Sequence, residues 1–140
     1  MIAGLPGHYE PVEEIRQHCV AAPIYLKDHT ETILVEGRGP ECGAANCPAY
    51  ILEKRGQSYR LLLDAEEVQQ VRVLNSMTKG YHDIQTNWHG SASLSGIVIY
   101  RYDGNNYKAT DCFSKQYYLE ALDDNGNIIG KPTITRTCGK

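Results

Sequence analysis

The sequence predicts a mainly β protein, an antiparallel meander curling into a sandwich or partial barrel, with one short N-terminal helix. Three observations predict it. Alternating runs are punctuated by the turn pairs Gly56-Gln57, Gly104-Asn105 and Asn125-Gly126, as hairpins require. Tyrosine occurs ten times and phenylalanine once, a bias that suits half-buried strands, where the ring packs inward and the hydroxyl reaches water. The stretch Leu94–Tyr102 puts Leu94, Val98, Tyr100 and Tyr102 on one face and Ile97 and Ile99 on the other. Apolar on both sides, it reads as a central strand.

The chain of 140 residues reads as one domain, 1–140, large enough to bury a core of its own. Its 14 basic and 17 acidic residues are well mixed, and no Lys/Arg run offers a groove for nucleic acid. No apolar stretch approaches the roughly 18 residues needed to span a bilayer, so no membrane insertion is expected. Five cysteines are ordinary in an exported chain and many for a cytosolic one. The expected location is therefore periplasmic or secreted. The opening Met1-Ile2-Ala3-Gly4 lacks the charged and apolar regions of a signal peptide, so export implies a start where a signal was removed. The competing reading is a cytoplasmic chain with free thiols.

Taken in order, Met1 to Glu10 is rich in Gly and Pro and reads as irregular. Pro11 suits a first helical position, with Glu13 and Glu14 in the first turn. Val12, Ile15, Cys19 and Val20 form one apolar stripe, so a helix is expected to end before Pro23 with Cys19 facing inward. Thr30 to Val35 has strand composition, closed by Gly37-Arg38-Gly39-Pro40. Cys42 and Cys47 then bracket four residues. Their spacing is not C-x-x-C, and no Cys/His pair lies nearby, so a disulfide is favoured over a redox or zinc site. Such a ring is worth ~2 kcal/mol in the loop-entropy description.

Pro48 to Glu53 and Tyr59 to Leu63 form a hairpin. With Gly56-Gln57 as its loop, Leu52 faces Leu61 and Glu53 faces Arg60. Asp64 to Glu67 resembles a capping box but reads as a loop, because Val71 to Leu74 soon resumes strand composition. Asn75 to Gly80 reads as turn-like, and so does Trp88-His89-Gly90-Ser91. Trp88 is expected in the principal core with the Leu94–Tyr102 strand. Gly96 marks a bulge or bend, and Tyr102 faces Tyr107 across the Gly104-Asn105 loop. Gln116 to Leu122 and Ile128 to Thr137 make the last hairpin, around Asn125-Gly126. Counting outward from that turn sets Cys112 opposite Gly139, one residue from Cys138, with Pro132 as the place for a one-residue bulge. A Cys112–Cys138 disulfide follows, leaving Cys19 over.

The candidate functional residues cluster between Tyr81 and Tyr107. In alternation, His82 and Ile84 share one face and Tyr81, Asp83 and Gln85 the other, so His82 and Asp83 cannot form a dyad. Catalysis would need His89 with a carboxylate such as Asp83 and a nucleophile from Ser91, Ser93 or Ser95, none of which sits in a G-x-S-x-G elbow. A metal held by His82, Asp83 and His89 is weighed against Asp83 capping a turn and Trp88 filling the core. No cofactor, metal or catalytic residue is assigned. Tyr81, His82, Trp88, His89, Tyr100, Tyr102 and Tyr107 are assigned instead to a face that binds another protein, since Tyr and Trp offer large contact area at low entropy cost. The alternative is that these rings, with Tyr117 and Tyr118, line the core boundary.

Cys42-x4-Cys47-Pro48, Tyr59-Arg60-Leu61-Leu62-Leu63, Gly80-Tyr81-His82-Asp83-Ile84 and Tyr100-Arg101-Tyr102-Asp103-Gly104-x-x-Tyr107 resemble motifs of small exported bacterial proteins of unassigned function. The resemblance covers roughly Cys42 to Cys112 and implies an envelope or secreted location and a β fold. It carries over no activity and no functional residue. Ser95-Gly96-x-x-x-Tyr100 is also similar to the Ser-Gly-x-x-Tyr loop of C-type periplasmic lysozyme inhibitors, with one residue more and on a strand. The expected function is a non-enzymatic exported binding module, of the inhibitor or immunity type. The rival is a small hydrolase or metal-dependent enzyme using His89, Asp83 and a serine.

Overall fold

A computed structural model describes residues 19–43, 45–91, 93–117, 123–125, 127 and 133–138. They form β1 (Cys19–Pro23), β2 (Thr32–Gly37), β3 (Ala49–Arg55), β4 (Ser58–Asp64), β5 (Gln70–Thr78), β6 (Tyr81–Ser91), β7 (Leu94–Tyr102), β8 (Tyr107–Gln116) and β9 (Thr133–Cys138). β1 to β4 make one antiparallel sheet and β5 to β9 another, each in chain order. Short turns favour this arrangement, because a tight reversal can only return a strand antiparallel to its neighbour. The protein is mainly β, and β7 is the middle strand of the larger sheet.

The expected helix is corrected where it can be seen. Its first part, residues 11–18, lies outside the described residues. Its end, Cys19–Pro23, is β1, paired with β2 from Cys19↔Gly37 to Pro23↔Ile33. A helix that short is marginal alone, and the β2 edge offers each residue a ladder partner. Cys19 belongs to neither disulfide and is half-buried against the Val35, Tyr50 and Leu52 cluster.

The hairpin registers follow local chemistry. Leu52↔Leu61 and Glu53↔Arg60 pair as expected, with Leu62 as an extra residue on β4, and Tyr102 pairs with Tyr107. Cys112 pairs with Cys138 and is bonded to it, as Cys42 is to Cys47. The one-residue offset of the last hairpin is absorbed at Thr137, because Phe113 pairs with Arg136. Pro132, Gly126 and most of Gln116 to Leu122 lie outside the described residues. Two cross-links of this kind fit an oxidising environment. Among the described residues, no helix is long and apolar enough to cross a membrane.

Two expected turns are strands instead. Asn75 to Thr78 continues β5 past an irregularity between Val73 and Met77, leaving only Lys79-Gly80 to turn. Trp88 to Ser91 continues β6, with Trp88 facing Gly96. Gly96 makes no bulge. A Cβ built on it would lie 2.0 Å from Trp88 Cε2, so the indole lies over the bare backbone of its cross-strand neighbour.

The main core joins the two sheets. Leu26, Ile51, Leu62 and Val68 pack with Tyr81, Ile84, Tyr102 and Tyr107. Arg60 on β4 donates to Asn105 Oδ1 (2.7 Å) and to the Tyr102 hydroxyl (3.3 Å). Asn106 Nδ2 donates to the Leu61 carbonyl at 3.0 Å. These bonds tie the β7–β8 turn to the smaller sheet.

Candidate functional site

At one end of β6 the tyrosines are interior. Tyr81, Tyr102 and Tyr107 are 4%, 6% and 5% exposed, with the Tyr81 and Tyr102 centroids 4.0 Å apart and Tyr107 edge-on to both. The Tyr81 hydroxyl donates to buried Glu53 at 2.8 Å, whose other oxygen is 3.0 Å from Arg55 Nε. Tyr107 donates to the His82 carbonyl at 2.7 Å. Burial pushes the Tyr81 phenol well above its usual range, with the Glu53 carboxylate adding to the shift. Burial does the same for Tyr107, with neighbouring phenols and carboxylates reinforcing it. The expectation that these three rings face a partner is therefore corrected: they are core.

Strict alternation also fails here, because Tyr81 and Ile84 both reach that core. β6 pairs with β7 only from Ile84↔Tyr100 onward, and the His82 amide bonds the Leu26 carbonyl at 2.9 Å. Opposite, β5 is irregular between Val73 and Met77. The strand is thus free to rotate between His82 and Ile84.

Asp83 is buried and accepts Ser76 Oγ and Thr78 Oγ1, both at 2.7 Å, with Arg101 Nε at 3.7 Å. Arg101 also pairs with Asp111 (2.5 Å), and Asp111 with Arg136 (2.8 Å), so a polar ladder crosses the outer strands. His82 Nδ1 lies 2.7 Å from the Leu74 carbonyl. His89 stands six residues from Asp83, about 20 Å along a strand at ~3.3 Å per residue. Its backbone is held by Asn46, through bonds of 2.7 and 2.9 Å. His89 faces Ser95 across the β6–β7 ladder, but the rival arrangement of His89, Asp83 and serine is not assembled. Among the described residues no three His, Cys, Asp or Glu side chains converge as a metal would require.

The other end of β6 is built differently. Trp88, Thr86, Val98 and Tyr100 form one wall of a cleft of about 240 Å³, and the Asp64–Val68 segment forms the other. That segment is anchored at three points. Ala65 bonds the Ala49 carbonyl (2.9 Å), Val68 exchanges two 2.8 Å bonds with Cys47 of the disulfide ring, and Gln69 bonds the Asn87 carbonyl (2.7 Å). Asp64 Oδ1 accepts the Glu66 amide at 3.1 Å, and Glu66 sits at φ 32°, a conformation rare for its type. Asp64, Glu66 and Glu67 are exposed and make no ion pair among the described residues.

Thr86 is 1% exposed, and its Oγ1 has no hydrogen-bond partner. Its side chain is a hydrogen-bonding neighbour of the Tyr100 phenol and lowers that group's pKa. Burial outweighs this and raises the Tyr100 pKa, with the Glu66 and Asp64 carboxylates contributing. Arg60 Nε is also buried and unpartnered, but Arg60 lines none of the three cavities described here. Two others are an apolar hollow of about 570 Å³ beside Tyr25 and Tyr59 and one of about 360 Å³ at the Cys42–Cys47 ring. Neither contains an unpartnered buried side-chain atom.

Of the seven residues assigned from sequence, Trp88 and Tyr100 line the cleft and are half-buried. His82 and His89 are half-buried too, but not in it. Trp88 lies outside the principal core, contrary to expectation. Asp64, Glu66, Glu67 and Thr86 were missed. The paired glutamates in a loop were the one available signal. Compared with known proteins, the chain matches no family model, no curated protein and no solved structure.

Proposed function

We propose that the protein is a two-sheet sandwich acting as a non-enzymatic exported binding module, in the periplasm or outside the cell, of the inhibitor or immunity type that blocks another protein. One observation carries this reading: a cleft of about 240 Å³ sets the half-buried aromatic walls of Trp88 and Tyr100 beside the exposed Asp64, Glu66 and Glu67. A concave site that joins aromatic walls to a few polar groups suits a ligand. The scattering of His89, Asp83 and the serines supports binding over chemistry. The two disulfides and the resemblance to small exported bacterial proteins support the location.

The test is capture from bacterial envelope extract on the oxidised protein, with wild type compared against Glu66→Lys/Glu67→Lys. Both residues are exposed, so melting should be unchanged while the captured protein is lost. Capture that survives the double substitution would place the binding face elsewhere. Hydrolytic turnover that disappears in His89→Ala would overturn the non-enzymatic reading.

A further inference from the structure

We infer that the outer face of the larger sheet, centred on Ile97 and Phe113, is a second docking surface, for a protein that presents carboxylates around an apolar centre. It goes beyond the reading above, because it lies on the opposite side of β6 and β7 from the Trp88 cleft. The ladder defines the face. Ile84 and Tyr100 are paired and reach the main core, and successive side chains of a strand point to opposite sides. The next row therefore turns outward, with Ile99 opposite Asp111, then Ile97 opposite Phe113 and Phe113 opposite Arg136, then Lys115 opposite Ile134. Ile97, Phe113 and Ile134 are 38%, 36% and 64% exposed. They stand on three adjacent strands, Ile97 directly across from Phe113 and Ile134 on its diagonal, so they form one patch. Single exposed apolar residues are ordinary, whereas a contiguous group rimmed by polar ones marks a contact site.

Charge selects what covers it. The chain carries a net charge of −3, yet this face is basic. Its carboxylates, Asp83 and Asp111, are engaged by Arg101 and Arg136. Arg72, which shares the Gln85–Ile99 row, and Lys115 have no carboxylate partner among the described residues. Arg72 on β5 and Lys115 on β8 stand three strands apart, about 14 Å at ~4.8 Å per strand, with Ile97 on β7 between them. An acidic protein surface supplies carboxylates to both cations and an apolar centre to Ile97 and Phe113. Complementary charge then steers the encounter and fixes its register.

Other occupants fit less well. A second copy laid face to face would set these cations against one another. Nucleic acid needs ring faces on which bases stack, and apart from Phe113 this centre is aliphatic. A lipid surface would take the apolar side chains ~5–10 Å deep. Asp111, two residues from Phe113 on the same face, would be carried in with them.

The test is titration of the isotope-labelled, oxidised protein with the peptide acetyl-Glu-Glu-Leu-Phe-Leu-Glu-Glu-amide, followed by amide NMR. Versions with glutamine or lysine in place of glutamate, phosphatidylglycerol vesicles and a thymidine oligonucleotide are the rival probes. Saturable shifts at Ile97, Phe113 and Ile134 are expected with the glutamate peptide only, with a Kd in the millimolar range or below. Arg72→Gln/Lys115→Gln should weaken it about threefold or more, the scale of two exposed charge pairs. Phe113→Ser should abolish the shifts.

Equal binding of the glutamine peptide, preference for the lysine peptide, the vesicles or the oligonucleotide, or an unchanged affinity in Arg72→Gln/Lys115→Gln would each overturn the acidic partner. So would the absence of saturable shifts up to about 20 mM, beyond the millimolar regime of weak binding, or shifts confined to Asp64–Val68. Concentration-dependent dimerisation that Phe113→Ser removes would give the face to a second copy and overturn it as well.

Discussion

At the Tyr81 end of β6 the buried polar groups are matched: Tyr81 with Glu53, Tyr107 with the His82 carbonyl, Asp83 with Ser76 and Thr78. Five residues further along the same strand, Thr86 Oγ1 is buried with no partner, and beyond it Trp88 is only half-covered. The first region closes on itself. Its buried tyrosine hydroxyls and carboxylates are hydrogen-bonded within the fold. The second faces a cleft with three exposed carboxylates that make no ion pair among the described residues. The same residue types thus mean core where their polar atoms are satisfied and site where they are not.

The largest expected effect is at the closed end. Tyr81→Ala removes a fully packed ring and takes away one of the two partners of Glu53. It should cost about 3–5 kcal/mol in urea unfolding. A loss under about 1 kcal/mol would mean that the tyrosine cluster is not the core.

Gly96→Ala probes the wall of the open end. Its methyl would overlap the indole, forcing Trp88 aside at a cost of about 1–3 kcal/mol. Trp88 emission should shift in step, and an unchanged spectrum would contradict the stacking.

Tyr81→Phe keeps the ring and removes only the donor to Glu53. Leaving a buried carboxylate short of one bond should cost about 1–3 kcal/mol. Thermal unfolding should show it, and a silent substitution would mean the Tyr81–Glu53 bond is not made.

Alkaline pH tests the closed end without substitution. Below about pH 10 Tyr81 and Tyr107 are protonated in both folded and unfolded chains, so they do not alter stability. Above it the unfolded chain releases these protons while the folded chain, with its raised values, retains them. Stability should therefore fall as pH rises through this window. Tyrosine ultraviolet absorbance should show the buried phenols ionising only with unfolding. Smooth ionisation in the folded state would show that they are accessible.

The smallest effect, and opposite in sign, is expected from Thr86→Val. A buried hydroxyl without a partner costs stability, so its removal should leave melting unchanged or raise stability by up to about 1 kcal/mol. A loss above that would mean Thr86 Oγ1 is satisfied and the contrast between the two ends fails.

The parts of this fold that were legible in sequence are those set by neighbours in the chain. Gly56-Gln57 dictates Leu52↔Leu61, the Gly104-Asn105 turn dictates Tyr102↔Tyr107, and counting back from Asn125-Gly126 came within one residue of Cys112↔Cys138. Turn geometry sets register over a few residues, and register then carries the disulfide with it. Half of the cleft was legible too, because Trp88 and Tyr100 stood out by type. Its other wall was not, since Asp64 to Val68 is distant in sequence and reaches Thr86 only through the bonds of Ala65, Val68 and Gln69.

Strand identity was misjudged wherever it depended on a partner. Trp88-His89-Gly90 has the composition of a turn and becomes a strand because Gly96 across the ladder leaves room for the indole. Cys19 to Pro23 carries a helical stripe and becomes β1 because the β2 edge is there to pair with it. By itself, then, the sequence determined a disulfide-linked antiparallel β protein and the registers of its hairpins, which short-range geometry controls. The tertiary structure decided which tyrosines are interior, how β6 rotates between Tyr81 and Ile84, and that Thr86 is left without a partner. Burial and hydrogen-bond satisfaction depend on residues that only packing of the two sheets brings together.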